Sequence, residues 1–271
     1  MTPGRTGRPA GTTLRVEVLD DTDDTGGAEG IGRRAADVVA EELRAGRLAT
    51  FGVATGSSPL QVYADLAARR LPGWDAVEVF ALDEYVGLPA GDPRSYAAVV
   101  EEEVRAPLGL DPARVHVPDG TATTEAGLAA ACAAYEAALG ARGGADVQLL
   151  GIGATGHIGF NEPGSPLSSR TRVVELAATT VADNARFFAR PEDVPRRAVT
   201  QGVATIATAR RHVLIARGEH KAEAVRAALE GPVSPACPAS AVRTFTDVLV
   251  LLDPAAASRL TRVPVGAGPA A

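Results

Sequence analysis

Short apolar runs alternate along the chain with longer segments in which apolar residues recur every three or four positions. The short runs predict β-strands at residues 14–19, 48–54, 77–82, 114–118, 147–152, 172–176, 212–216 and 247–252. The helical spacing predicts α-helices at residues 28–45, 59–70, 96–104, 125–139, 180–188, 203–207 and 221–229. Strands separated by helices are typical of an α/β, Rossmann-like fold, an open and mostly parallel sheet with helices on both faces.

The alternation stops near both ends of the chain. With 271 residues, 46% of them hydrophobic, the chain can bury one substantial core, and we expect residues 14–262 to form a single α/β domain. Residues 1–13 carry positive charge with no apolar segment behind it, so we expect a disordered tail and not a signal peptide. We expect residues 263–271 to be a frayed tail.

The strand at 147–152 leads into the most informative stretch, 149-LLGIGATGHIGFNEPG-164. Glycines let the backbone turn sharply after the strand, and the turn then presents His157 and, five residues later, Glu162. Open α/β sheets place their chemistry at the carboxyl ends of their strands. The stretch therefore predicts an acid–base pair at the sheet edge.

The same stretch contains GIGATG, which matches the G-x-G-x-x-G fingerprint of dinucleotide-binding proteins letter for letter. That motif requires a helix to begin at its third glycine, because the helix N-terminus binds the pyrophosphate. Here HIGFNEPG follows, with glycine and proline where the helix should continue. We therefore predict that no nicotinamide cofactor binds.

A second strand end, 54-ATGSSPL-60, precedes a predicted helix. Ser58 is placed to cap the helix and Pro59 to occupy its first position, so that Gly56, Ser57 and Ser58 would present N–H groups and hydroxyls at the positive end of the helix dipole. The arrangement suits an anion, above all a phosphate. An ordinary capped turn explains the same residues equally well.

A third strand end, 81-ALDEYVGL-88, carries the acids Asp83 and Glu84. Burial raises the pKa of a carboxylate toward neutral pH, which suits a general base. A carboxylate that caps the following turn is the alternative, and the segment taken alone favours it slightly. Lys221 is the only lysine among 27 basic residues and follows the strand at 212–216, so its compact ammonium is a candidate ligand group, although chance retention explains it too.

Charge and composition exclude other classes of partner. The formal net charge of −6 and the pI near 5.3 argue against a nucleic-acid surface. No apolar run approaches the roughly 18 residues of a membrane span, so we expect no membrane partner and a cytoplasmic location. Cys132 and Cys237 lack metal-ligand spacing and are expected to be reduced, and His116 and His212 are expected to be structural.

Several motifs in order carry a family resemblance: LDEYVGLP followed by SY, then GIGATGHIGFNEPGS, SRTRVVEL, ADNARFF and HKAEAV. Over residues 16–253 the chain resembles the glucosamine-6-phosphate deaminases, also called glucosamine-6-phosphate isomerases. The resemblance implies a sugar phosphate as substrate, fructose 6-phosphate and ammonia as products, and neither a metal nor an organic cofactor. A homo-oligomer is compatible with it.

The resemblance also implies roles for individual residues. Asp83 would be the base that moves a proton between C2 and C1 of the open-chain sugar. His157 would open the pyranose ring by proton transfer at the ring oxygen, and Glu162 would hold and polarise its imidazole. The positions that match phosphate-binding residues of the family are Ser57, Ser58, Arg186 and Lys221.

Two positions depart from the family pattern. Many deaminases have an acidic residue or asparagine where this chain has Thr155, which offers a hydroxyl but no charge. Ring opening is therefore expected to be slower, differently pH-dependent or adapted to another sugar. Val174 occupies the place of a lysine in the allosteric members, so we expect hyperbolic kinetics, and a sigmoidal rate curve sharpened or abolished by N-acetylglucosamine 6-phosphate would contradict this.

Three alternatives remain at this level. The 6-phosphogluconolactonases share the general fold and a similar histidine turn, but they lack the FNEP continuation and the DEYVGL loop. A deaminase or isomerase for another sugar phosphate, such as galactosamine 6-phosphate, fits the change at Thr155. A non-catalytic sugar-phosphate sensor would have no need of the two proton-transfer groups at Asp83 and at His157 with Glu162.

Overall fold

A computed structural model describes residues 12–19 and 30–262 of the chain. The predicted tails lie outside these ranges except for residues 12 and 13, as do residues 28 and 29 of the first predicted helix. The strands are β1 (Thr13–Val18), β2 (Thr50–Val53), β3 (Glu78–Ala81), β4 (Asp83–Tyr85), β5 (Val115–His116), β6 (Val147–Gly151), β7 (Arg172–Glu175), β8 (Arg197–Thr200), β9 (Arg211–Ala216) and β10 (Asp247–Leu252).

The helices follow the predicted order. They are α1 (Ile31–Arg44), α2 (Ser57–Ala68), α3 (Tyr96–Val100), α4 (Ala106–Leu108), α5 (Glu125–Ala141), α6 (Ala178–Asn184), α7 (Val203–Ile206), α8 (Ala222–Glu230) and α9 (Pro254–Ala257). A π-helical turn, Glu101–Arg105, joins α3 to α4. Short 3₁₀ turns lie at Trp74–Ala76, Pro112–Arg114, Ala185–Phe187, Pro191–Asp193, Glu219–Lys221 and Pro238–Thr244.

Seven strands form the central sheet in the order β1-β10-β9-β6-β2-β3-β5, and every pairing between neighbours is parallel. From β2 the chain continues outward to β3 and β5, whereas from β6 it continues to β9 and β10 on the other side. The boundary between β2 and β6 is therefore a topological switch point, where a crevice opens beyond the carboxyl ends of the strands. The predicted α/β architecture is confirmed.

Helices cover both faces of this sheet. On β6 the adjacent side chains of Leu149 and Leu150 belong to two different buried clusters, because successive side chains of a strand point to opposite faces. One cluster joins the sheet to α1 and α2, and the other joins it to α7, α8 and the 3₁₀ turn Pro238–Thr244. Both faces are apolar, as expected of a parallel sheet buried on two sides.

A second, smaller sheet lies outside the sequence prediction. It has three antiparallel strands in the order β4-β8-β7. The sequence predicts neither helix nor strand between residues 82 and 96, which is wrong at the start of this segment, since Asp83–Tyr85 is a strand that pairs with β8. The strand β8 and the short helix α9 were not predicted, and the predicted strand at 172–176 exists but belongs to this second sheet.

The residues set aside as structural behave as expected. Cys132 and Cys237 are free and buried. His212 is fully buried, with Nε2 2.8 Å from the carbonyl oxygen of Ile206, and His116 stacks on Phe80. Within residues 12–19 and 30–262, no helix is long and apolar enough to cross a membrane, and no three His, Cys, Asp or Glu side chains cluster as metal ligands.

Candidate active site

The carboxyl ends of β9, β6, β2 and β3 open into a cavity of about 530 Å³. It lies at the switch point between β2 and β6. Seven of the eight predicted site residues line it: Gly56, Ser57, Ser58, Asp83, His157, Arg186 and Lys221. The eighth, Glu162, contacts the imidazole of His157 and does not itself line the cavity.

A carboxylate and a hydroxyl hold the His157 side chain. Nδ1 of His157 lies 3.2 Å from Oε2 of Glu162 and 2.9 Å from Oγ1 of Thr155. The Thr155 hydroxyl also reaches Oε2 of Glu162 at 3.4 Å. Burial by itself raises the pKa of Glu162, but hydrogen bonds from His157, Thr180 and Thr155 outweigh it, and the net pKa is lowered. Glu162 is therefore ionised at neutral pH and can stabilise an imidazolium.

Gly153 makes room for this imidazole. A Cβ atom at Gly153 would lie 2.0 Å from Cε1 of His157, so the ring rests directly on the glycine backbone. The turn is closed by a hydrogen bond that the N–H of Gly153 donates to the carbonyl oxygen of His157 at 3.0 Å. The sequence predicts a sharp turn at this glycine. The structure shows a second reason for it, since any larger residue would overlap the His157 ring.

Asp83 follows β3 and begins β4, where it pairs with Thr200 of β8. Its side chain is 5% exposed. Burial first, and then the charge of Glu84, raise the pKa of Asp83 to about 8. A carboxylate that accepts a proton near neutral pH and faces a cavity has the properties of a general base.

Glu84 has a structural role instead. Its carboxylate accepts hydrogen bonds from the backbone N–H groups of Tyr85 at 2.7 Å, Tyr96 at 2.9 Å and Ala97 at 2.7 Å. The last two belong to the first turn of α3, whose N–H groups have no partner inside the helix. The turn-capping role considered for these two acids therefore belongs to Glu84. The side chain of Asp83 lines the cavity instead.

The candidate anion cradle at Gly56, Ser57 and Ser58 differs in detail from its prediction. Helix α2 begins at Ser57, and its N-cap residue is Gly56, with φ of 90°. The prediction that Ser58 caps the helix is wrong, because glycine alone adopts this backbone conformation without strain and so starts the helix two residues earlier. Ser57 and Ser58 lie in the first turn of a 12-residue helix, whose N–H groups have no partner inside the helix, and both residues line the cavity.

Two basic side chains complete the cavity. Lys221 ends the 3₁₀ turn that follows β9, and Arg186 lies in the 3₁₀ turn that follows α6. The pKa of Lys221 is lowered, first by burial and also by the charge of Arg186, against an opposing effect of Asp183. Two basic side chains that line one cavity favour an anion there.

Sequence reasoning missed the aromatic wall of the cavity. The chain has only four tyrosines and six phenylalanines. Five of these line the cavity: Tyr85, Tyr96, Phe160, Phe187 and Phe188. These residues could have been predicted, because the few aromatic residues of the chain fall inside or beside the DEYVGL, GFNEPG and NARFF motifs. Thr180, which contacts Glu162, was also missed and has no comparable signal.

The fold and this cavity define an α/β protein in which acid–base groups share a pocket with a helix N-terminus and two basic side chains. The family model of glucosamine-6-phosphate isomerases and 6-phosphogluconolactonases matches residues 23–251, and the chain belongs to this family. The resemblance read from the sequence is confirmed.

Individual relatives agree with the family assignment. The chain is 56% identical over 236 residues to a glucosamine-6-phosphate deaminase of Cutibacterium acnes, covering 86% of this chain and 89% of that one. It is 53% identical over 237 residues to a glucosamine-6-phosphate deaminase of Pseudarthrobacter chlorophenolicus, covering 87% and 90%.

Solved structures extend the likeness to the fold. A monomeric glucosamine-6-phosphate deaminase matches with a TM-score of 0.83 and 38% identity, over 90% of this chain and 99% of that one. The 6-phosphogluconolactonase of Thermotoga maritima matches with a TM-score of 0.69 and 19% identity, over 89% of this chain and 100% of that one. At that identity the second likeness concerns the fold alone.

Proposed function

We propose that this chain is a glucosamine-6-phosphate deaminase, which converts glucosamine 6-phosphate and water to fructose 6-phosphate and ammonia. One observation carries the proposal: a buried carboxylate, an imidazole–carboxylate pair and a cradle for an anion line a single cavity or support it directly. The reaction needs a base near C2, a proton carrier near the ring oxygen and an anchor for the distant phosphate. The identity to named deaminases over most of the chain supports the same reaction.

The first step opens the pyranose ring. His157 takes the proton of the C1 hydroxyl and delivers a proton to the ring oxygen as the C1–O5 bond breaks, which leaves an aldehyde at C1. Glu162 stabilises the imidazolium that exists between these transfers, because its lowered pKa keeps it ionised. The hydroxyl oxygen of Thr155, 2.9 Å from Nδ1 of His157, is a second and neutral acceptor for the N–H at that nitrogen.

The second step moves a proton from C2 to C1. Asp83 removes the C2 proton, and the electrons of the C2–H bond form a double bond between C1 and C2 while the aldehyde oxygen gains a proton. Return of the proton from Asp83 to C1 gives a CH₂OH group at C1 and a protonated imine at C2. A base with a pKa of about 8 both accepts and returns a proton readily near neutral pH.

The last step releases ammonia. Water adds to C2 of the protonated imine, a proton passes to the nitrogen, and the C2–N bond breaks to leave the ketone of fructose 6-phosphate. The phosphate stays bound meanwhile to the N-terminus of α2, Arg186 and Lys221, which holds C1 and C2 in register with Asp83.

The test is a product analysis with purified full-length protein. Glucosamine 6-phosphate, galactosamine 6-phosphate and 6-phosphogluconolactone are supplied in parallel, and ammonia, ketose phosphate and free acid are measured. Stoichiometric ammonia and fructose 6-phosphate from the glucosamine ester are expected, with little turnover of the other two. Turnover of the galactosamine ester or the lactone in its place would overturn the proposal.

A further inference from the structure

The Glu162 carboxylate has two oxygen atoms with different partners. Oε2 faces Nδ1 of His157 and the hydroxyl of Thr155. Oε1 accepts a close hydrogen bond from the hydroxyl of Thr180. Thr180 is 5% exposed and lies in α6, 18 residues further along the chain.

A carboxylate that orients an imidazole must itself be held in place. The hydroxyl of Thr180 occupies one oxygen of Glu162, so the other oxygen is directed at Nδ1 of His157. An acceptor fixed at Nδ1 favours the tautomer with the proton on Nδ1, which leaves the lone pair of Nε2 free. Because His157 lines the cavity, Nε2 is the nitrogen available to the sugar.

We infer that Thr180 is a positioning residue, which fixes Glu162 so that His157 keeps the tautomer required for ring opening. The inference rests on the proposed function for the step that it serves. The turn that follows α6 carries Arg186, a proposed phosphate-binding residue, so this helix would position two parts of the site.

Other charged groups near the pair come from separate elements. Asp83, Asp183, Arg186 and Lys221 line the same cavity, and Arg172 of β7 reaches the neighbouring Asn161. Within the described residues, the hydrogen bonds to the Glu162 carboxylate come from His157, Thr155 and Thr180. Loss of the Thr180 hydroxyl therefore removes the support of Oε1.

The test compares Thr180→Val, which keeps the shape and removes the hydroxyl, with Thr180→Ser, which keeps the hydroxyl. Thr179→Val is the matched control, because Thr179 is the exposed neighbour in the same helix. The first readout is the ¹⁵N spectrum of the imidazole nitrogens, in which the protonated and bare nitrogens are distinct. The protein has four histidines, and the signals lost in His157→Gln identify His157.

Wild type, Thr180→Ser and Thr179→Val are expected to have Nδ1 protonated and Nε2 bare. Thr180→Val is expected to show a mixture of tautomers, as is Glu162→Gln. With glucosamine 6-phosphate, kcat of Thr180→Val is expected to fall by about tenfold or more with little change in KM, because a hydrogen bond to a charged group is lost away from the phosphate.

An unchanged tautomer and an unchanged kcat in Thr180→Val would overturn the inference. If that variant does not fold, as judged by circular dichroism, Thr180→Ala is measured in its place. The ¹⁵N spectrum tests the positioning role of Thr180 even if the protein does not turn over the substrate. A wild-type protein that is inactive on glucosamine 6-phosphate but has the expected tautomer would therefore refute the proposed function and leave the role of Thr180 standing.

Discussion

Asp83 and Glu84 are adjacent in sequence, yet their carboxylates have different surroundings. They lie in the strand β4, where successive side chains point to opposite faces. Glu84 faces three backbone N–H groups, which stabilise its charge, although burial outweighs them and its pKa is raised. Asp83 faces the cavity, and burial raises its pKa to about 8. One acid supports the fold, and the other is the base of the proposed reaction.

The raised pKa of Asp83 predicts a pH-dependent stability. Ionisation of Asp83 is opposed in the folded state, so the favourable neutral form is fully present below its unfolded pKa of 3.8 and is lost as the pH rises through about 8. Asp83→Asn should therefore gain stability over wild type between these values, by about 1.4 kcal/mol for each pH unit.

Urea unfolding of the ligand-free protein at pH 5 and pH 8 measures this difference. Asp75→Asn is the matched control, because Asp75 is exposed and its substitution should change the stability little at either pH value. An Asp83→Asn advantage that is equal at both pH values would mean that Asp83 is ionised at pH 5 in the folded protein.

Lys221 should act through substrate binding. Lys221 and Arg186 both line the cavity, and each charge-assisted hydrogen bond to a phosphate contributes about 1.5–3 kcal/mol. We expect Lys221→Ala to raise KM for glucosamine 6-phosphate by about 10- to 100-fold and to change kcat much less. Arg226→Ala is the control, because Arg226 lies in α8 and pairs with Glu223. An unchanged KM in Lys221→Ala would remove Lys221 from the phosphate site.

At the scale of elements, the central sheet was predictable and the small sheet was not. The buried strands β6, β9 and β10 each contain a run of apolar residues, which is a strong local signal. The strand β8 is four residues long and contains an arginine and a threonine, so no periodicity marks it. Its pairing with β4 is a long-range contact that local patterns do not encode.

The residues of the candidate site were likewise predictable only in part. Asp83, His157 and Lys221 follow predicted strands, so the parallel arrangement alone brings them to one edge of the sheet. Thr180 comes from a helix beyond the next strand, and its contact with Glu162 depends on tertiary packing. The start of α2 was misplaced because Ser-Pro is a common helix start, and the left-handed backbone of Gly56 has no signal in the sequence.

The turn after β6 offers a sharp test of its geometry. A methyl group at Gly153 would overlap the ring of His157, so Gly153→Ala should displace the imidazole and lower kcat/KM by about 100-fold. Gly140→Ala is the matched control, because Gly140 lies in α5 with open space around its Cα, and a helical alanine is stabilising. Steady-state kinetics of both variants measure the effect, and near-wild-type activity of Gly153→Ala would show that the ring does not need this position.

At the scale of the molecule, one fold serves two named activities. The chain shares its architecture with a deaminase at 38% identity and with a lactonase at 19% identity. The sheet supplies an edge at which strand ends meet, and the loops beyond that edge determine the chemistry. Here those loops carry Asp83, the His157–Glu162 pair and the anion cradle around one cavity.

Asp83 is the proposed base for the proton transfer that turns an aldose into a ketose in this cavity. The most direct measurement compares wild type and Asp83→Asn for release of fructose 6-phosphate and ammonia from glucosamine 6-phosphate, with substrate binding measured by calorimetry. The amide keeps the shape of the carboxylate and removes the base, so turnover should fall by about 1,000-fold or more while affinity changes little. Turnover of Asp83→Asn within about tenfold of wild type would contradict the account, because proton transfer by a placed base contributes at least about 100-fold.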